Sequence, residues 1–200
     1  MNQFPTHDEA SAPEAARPLL ASGRRAFGFA PNLFGKMAES PALLQGYLAL
    51  SEIFAESTLT PLHQVVVLLT VSRYHECRYC MAAHSAGADM IKVPTEVTDA
   101  IREDRPIADR QLEALRRFTH HLVDRRGWAG EEEVEALLAA GFDRSQLLAV
   151  ILGVGLKTLS NYTNHITGTE LDPELGHRAW APGGGLRGAL AAQGRVSAPR

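Results

Sequence analysis

Cys77, Cys80 and His84, in the stretch HECRYCMAAHSAGADM from His75 to Met90, are the residues of this 200-residue chain best suited to chemistry. The sequence holds two cysteines in all, and both stand here with the spacing C-x-x-C. That spacing suits a redox-active dithiol, part of a metal site, or a helix that buries two inert thiols. On one helix from 77 to 90 the three residues fall at i, i+3 and i+7, within an arc of roughly 60°. The two Cα atoms then lie about 5 to 6 Å apart, a separation a disulfide accepts. His84, one turn past Cys80, is placed to take its proton directly or through a water, which favours Cys80 as the nucleophile. Helix position favours Cys77, nearer the positive end of the helix, so spacing alone leaves the nucleophile open. A zinc site would have to use His75, Cys77, Cys80 and His84, yet helical rise separates Cys77 from His84 by about 10.5 Å, too far to share one metal. No second C-x-x-C and no H-x-x-x-H occurs elsewhere, and no metal is expected.

The elements that must position this stretch read as helices. Ser40-Pro41 and Thr60-Pro61 each pair an N-cap residue with proline at the first helical position. After the first, Leu43, Leu44, Tyr47, Leu48 and Leu50 form an apolar stripe. After the second, LHQVVVLLTVSRY is β-branched enough for a strand, but its cap and its continuation into the C-x-x-C favour a buried helix. Pro94 begins a short helix to about Glu103, and Leu112, Leu115, Phe118 and Leu122 mark an amphipathic one ended by Gly127. A helix from about Gly130 to Ala140 stops at Gly141, and DRSQ at 143 to 146 approaches a capping box. The helix that follows contains LLAVILGVGLKTL, apolar on nearly every side, and is expected to be the surrounded one, with Gly153 and Gly155 marking close approach by a neighbour. No alternating strand pattern competes, so the fold class is all-α, a bundle of about seven to nine helices with the C-x-x-C at the start of a core helix.

Composition narrows the function classes. With 45% hydrophobic and 22% charged residues and a net charge of −3, the chain has no basic surplus for nucleic acid. Its longest apolar run, Leu147 to Leu156, is about half of what spans a bilayer, so no membrane segment is expected. The opening MNQFPTHDEASAPEAARP carries acids and prolines where a secretory signal needs an apolar core, and the expected compartment is the cytoplasm. In a reducing compartment a C-x-x-C pair is catalytic or metal-binding more often than structural. Residues 1–15 are expected to be a mobile segment, 16–180 one helical domain and 181–200 a mobile tail rich in Gly, Ala and Arg.

The segment CRYCMAAH, preceded by LTPLHQVVVLLTVS, resembles the AhpD-like members of the carboxymuconolactone decarboxylase superfamily, alkylhydroperoxidases built on an all-α fold. PNLFGKMAESPALLQGYLAL, AGADM and LKTLSNYTNHI are similar to a less characterised, peroxidase-related subgroup, and together the matches cover most of residues 28 to 180. The resemblance implies an AhpD-like helical bundle and a thiol-dependent peroxidase. Cys80 would be peroxidatic, Cys77 resolving, and His84 part of the proton relay. It also implies a hydroperoxide substrate, a dithiol reductant such as a lipoyl-protein or thioredoxin-like donor, and a homo-oligomer; no cofactor is expected.

The chain departs from the family pattern at Val65, where the best-known members carry Glu, and at Tyr79, where they carry His. Another polar group must complete the relay; His63 is the first candidate, ahead of Gln64, Glu52, Glu56 and Tyr79. Asn161, Asn164 and His165 form a polar patch near the end of the apolar last helix, either as a hydrogen-bond network or as part of a substrate pocket or proton path. His120 and His121 are expected on the surface. Two other functions compete with the peroxidase: a lactone decarboxylase-like enzyme, which needs no dithiol, and a redox-sensing helical interaction protein.

Overall fold

Proline and side-chain caps set where the main helices begin in the computed structural model, which describes residues 4–182. Nine α-helices follow in order among the described residues, with no strand: α1 Arg17–Phe27, α2 Asn32–Met37, α3 Pro41–Ala55, α4 Pro61–Tyr74, α5 Arg78–Met90, α6 Thr95–Arg102, α7 Arg110–Asp124, α8 Glu131–Ala139 and α9 Arg144–Thr167. Short 3-10 turns span Glu14–Ala16 and Pro173–Arg178. Ser40 caps α3 by accepting from Leu43 N, and Thr60 caps α4 by accepting from His63 N. The capping box expected at α9 is formed by Asp143 and Gln146. No single helix is long and apolar enough to cross a membrane among the described residues.

The β-branched segment is helical, as its cap requires, because tertiary packing overrides its weak helix propensity. Val65, Val66, Val67, Leu69 and Val71 are all buried, and α5, α6, α7 and α9 pack around α4. The surrounded helix is therefore α4. The sequence-based expectation that α9 holds that place is corrected: Leu148, Ile151 and Ile166 are exposed on α9, whose opposite face meets α2, α3, α4 and α5. Gly153 does mark a close approach, since a Cβ there would lie 2.6 Å from Val67 Cγ1 and 3.0 Å from Phe54 Cε2. Gly155 does not; its nearest neighbour, Leu50 Cδ2, would be 4.0 Å away.

Residues 4–15, within the stretch expected to be mobile, make specific contacts: His7 N donates to Gly35 O at 3.1 Å, Lys36 Nζ donates to Phe4 O at 2.6 Å, and Ala12 is buried. At the other end, residues 169–182 run back over α5 as a strap. Arg178 pairs with Asp89, Arg102 donates to the carbonyls of Arg178 and Ala179, and Trp180 Nε1 donates to Arg102 O. Residues 183–200 of the expected tail lie outside the described residues.

The two glycines of α9 give a packing test. Gly153→Ala should lose about 1–3 kcal/mol through overpacking, whereas Gly155→Ala should be neutral or gain up to about 1 kcal/mol from helix propensity. Urea denaturation of both variants measures the difference, and equal midpoints would contradict the packing.

Candidate active site

The two cysteines lie at the junction of α4 and α5. The chain leaves α4 at Tyr74, reverses through Glu76 at φ +52° and returns with Cys77 as the N-cap of α5 at φ −78°, ψ 99°. Cys77 is therefore not a helical residue, which corrects the placement of all three site residues on one continuous helix. Its amide donates to Ser72 O at 2.9 Å, and Cys80 occupies the first turn of α5. Both thiols are free and buried.

Opposite them, α9 presents Lys157, Ser160 and Asn164 at i, i+3 and i+7, one face of the helix. Asn164 Nδ2 donates to Cys80 Sγ at 3.2 Å and to Cys77 Sγ at 3.6 Å. Ser160 Oγ lies 3.7 Å from Cys80 Sγ and accepts from Lys157 Nζ at 2.9 Å. Lys157 Nζ also meets His84 Nε2 at 2.7 Å. Lysine is almost never fully buried, yet Lys157 is 0% exposed.

These contacts separate the two thiols. Burial pushes the Cys80 thiol up, but the hydrogen bond from Cys77, the Lys157 charge and Ser160 together hold it well below the ordinary thiol range. Cys77 is pushed up, first by its hydrogen bond to Cys80 and then by burial. His84 is held well below the ordinary histidine value by burial and then by the Lys157 charge, so it stays neutral. With Nε2 accepting from an ammonium, the neutral ring carries its proton on Nδ1.

A cavity of about 210 Å³ opens onto Cys80 and His84. Its walls include Phe27, Phe34, Tyr47 and Tyr79, with Leu175 from the strap, and among the described residues no Asp, Glu, Lys or Arg lines it. Phe27 meets Phe34 edge-on at 5.7 Å and Phe34 meets Tyr47 at 6.0 Å, so the aromatic wall is packed rather than loose. Cys77 does not line the cavity.

The other residues singled out from sequence fall differently. Asn161 is fully buried on α9, one turn from Lys157, and neither atom of its amide has a hydrogen-bond partner. His165 is exposed and interacts electrostatically with His75. Tyr79 lines the cavity, but its hydroxyl donates to Asp172 and accepts from Leu33 N, so it ties the strap and α2 to α5. His63 packs on Phe142 at 5.0 Å at the far end of α4, on the order of 16 Å of helical rise from Tyr74. It is not brought to the cysteines. Gln64 donates to carbonyls of the α3–α4 connection, and Glu52 and Glu56 are exposed. Asn164, expected in the polar patch of the last helix, is the member of that patch that meets the cysteines, whereas Lys157 and Ser160 were not singled out from sequence; the signal was a lone lysine in an apolar helix, with a serine three positions on.

A scan of the sequence against protein-family models gives no match, and a search of curated proteins gives none. Solved structures do match. One is an alkylhydroperoxidase AhpD core, an uncharacterized peroxidase-related protein from Ralstonia eutropha JMP134, with TM-score 0.78 and 20% identity over 86% of this chain and 93% of that chain. Another is an uncharacterized peroxidase-related protein from Silicibacter sp. TM1040, with TM-score 0.74 and 18% identity over 86% of this chain and 92% of that chain. The debrominase Bmp8, in complex with 2,3,4-tribromopyrrole, gives TM-score 0.73 and 13% identity over 88% and 95%. The chain thus has the AhpD-like fold, as the motif resemblance implied.

The depressed His84 carries a pH signature. Protons bind this ring more tightly in the unfolded chain, so its contribution to stability is present above about pH 6.5 and is lost as pH falls below it. His84→Gln should flatten the stability profile on that acid side by at most about 1.4 kcal/mol per pH unit, the slope of one proton. Urea melts across the range measure it; an unchanged slope would mean that His84 titrates normally.

Proposed function

We propose that the protein is a dithiol peroxidase in which Cys80 attacks the substrate and Cys77 resolves the product. The observation that carries this reading is the asymmetry at the cavity: Cys80, the thiol held low, opens onto it, and Cys77, the thiol held protonated, stands behind it. The Cys80 thiolate attacks the terminal oxygen of a hydroperoxide, the O–O bond breaks, and the alcohol leaves with a proton supplied through the neutral His84. Sulfur is oxidised to the sulfenic acid as the peroxide is reduced. Cys77 then attacks the Cys80 sulfur, water leaves, and the disulfide forms. A dithiol donor, lipoyl-bound or thioredoxin-like, returns two electrons and two protons.

An uncharged, aromatic-lined cavity suits an apolar organic hydroperoxide. The same walls support a second reading, reductive dehalogenation of a small aromatic compound, because a debrominase shares the fold and its substrate would draw on the same two electrons. Homo-oligomerisation is part of the proposal, with exposed Ile53, Leu148 and Ile151 of α3 and α9 as apolar surface for a second copy. A lactone decarboxylase gains no support from two cysteines engaged by Ser160 and Asn164 of α9.

Reduced protein mixed with cumene hydroperoxide should lose both thiols within one turnover, and steady consumption should require added dithiol. Cys80→Ser should lower consumption by on the order of a hundredfold or more, to the background of a free dithiol. Cys77→Ser should complete the first step, and dimedone should label its Cys80. If the wild-type thiols survive hydroperoxide but release bromide from a brominated pyrrole, the dehalogenase reading replaces the peroxidase; inertness to both, with a redox-dependent change in oligomeric state, would favour the sensor.

A further inference from the structure

Lys157 is a cation without an anion. It is 0% exposed, on the inner face of α9, and its hydrogen bonds go to the neutral groups His84 Nε2 at 2.7 Å and Ser160 Oγ at 2.9 Å. Among the described residues no carboxylate forms an ion pair with it. A buried ammonium is costly unless an opposite charge compensates it. The titratable groups that face it and Cys80 are Tyr47 from α3, His75 from the end of α4, Cys77 and His84 at α5, and more distantly Tyr79 with Asp172. Both tyrosines are held in the neutral phenol form, chiefly by burial, His84 and His75 have no anionic form to offer, Cys77 is pushed up and stays protonated, and the Asp172 carboxylate is taken by the Tyr79 hydroxyl and the Asn32 amide and forms no ion pair with Lys157. The group left is Cys80, whose Sγ lies 3.7 Å from Ser160 Oγ, the same oxygen that accepts from Lys157 Nζ at 2.9 Å.

We propose that Lys157 is the built-in counter-ion of Cys80, a positioning residue that holds the nucleophile as a thiolate, and that His84 orients this lysine instead of acting as the base for Cys80. His84 cannot accept the Cys80 proton at Nε2 while that atom accepts from Lys157. The resting site is then a thiolate–ammonium pair bridged by Ser160, completed from α9. This assignment extends the peroxidase reading but concerns the reduced protein alone, so it can be tested with no peroxide present.

The test follows iodoacetamide alkylation of reduced protein against pH, with peptide mapping to locate the label and ultraviolet thiolate absorbance as a second readout. In wild type the Cys80 rate should stay within about twofold between pH 8 and 6, as for a thiol already ionised there. In Lys157→Met it should fall about tenfold per pH unit over that range, with the thiolate absorbance appearing only near or above about pH 8.5. His84→Gln, which leaves the ammonium in place with an amide oxygen to accept from it, should have a profile much flatter than that of Lys157→Met. A folded Lys157→Met with a flat profile overturns the proposal, and so does loss of the thiolate in His84→Gln with retention in Lys157→Met. If Lys157→Met does not fold, wild type decides alone: a rate falling about tenfold per unit from pH 8 to 6 overturns it. Failure to consume hydroperoxide alongside a flat, lysine-dependent profile would remove the peroxidase reading and leave the ion pair standing.

Discussion

A lysine sealed inside a helical core dictates how the two halves of the site must meet. Lys157 needs its charge satisfied where water is excluded, and the groups that can do so sit at the start of α5. Helices α5 and α9 must therefore face each other at one level, with His84 and Cys80 on one side and Lys157, Ser160 and Asn164 on the other. Gly153, one turn before Lys157, lets Phe54 and Val67 close against α9 and sets that level. Packing and electrostatics are thereby one constraint: the close approach that buries α9 also puts an ammonium beside a thiol.

The same constraint makes the two cysteines unequal. Their spacing suggests equivalent partners, and helix position would favour Cys77, but Cys77 sits at the N-cap with extended backbone while Cys80 projects from the first turn toward α9 and the cavity. Asn164 donates to both sulfurs, at 3.2 Å to Cys80 and 3.6 Å to Cys77, and so keeps them side by side. Of the two sulfurs, the Lys157–Ser160 pair reaches Cys80, through Ser160 Oγ at 3.7 Å. Cys80, held well below the ordinary thiol range, opens onto the cavity; Cys77, pushed up, stands behind it.

Much of this was legible in the sequence, for identifiable physical reasons. Helix starts carried by Pro41, Pro61 and the Asp143–Gln146 box are local signals and appear where their chemistry places them. The pairing of Cys77, Cys80 and His84 followed from spacing along one short segment. What escaped was whatever depends on the space between helices. Glu76 takes a left-handed conformation without being glycine, so nothing announced that Cys77 precedes the helix. His63, first choice for the relay, is polar and near in sequence, yet α4 carries it to the wrong end of the bundle. Lys157 lies 77 positions after Cys80, and only packing brings them together. Its signal was chemical rather than periodic: a single cation inside an apolar run needs a reason to be there.

Tyr79 shows how a departure from a family pattern can be absorbed. It stands between the cysteines where the resemblance expects histidine, and its hydroxyl is committed to Asp172 on the strap and to the amide of Leu33. Asp172 in turn accepts from Asn32 N at 2.9 Å, so this one side chain joins α5, α2 and the strap into the walls of the cavity. Burial, reinforced by the bond to Asp172, keeps it a neutral phenol. Val65, at the other departure, is buried among apolar residues of α4 and offers no proton at all. Both positions are thus engaged in holding the fold together. In the proposed arrangement the charge near Cys80 comes instead from Lys157 of α9, a helix whose polar face is inconspicuous in its sequence.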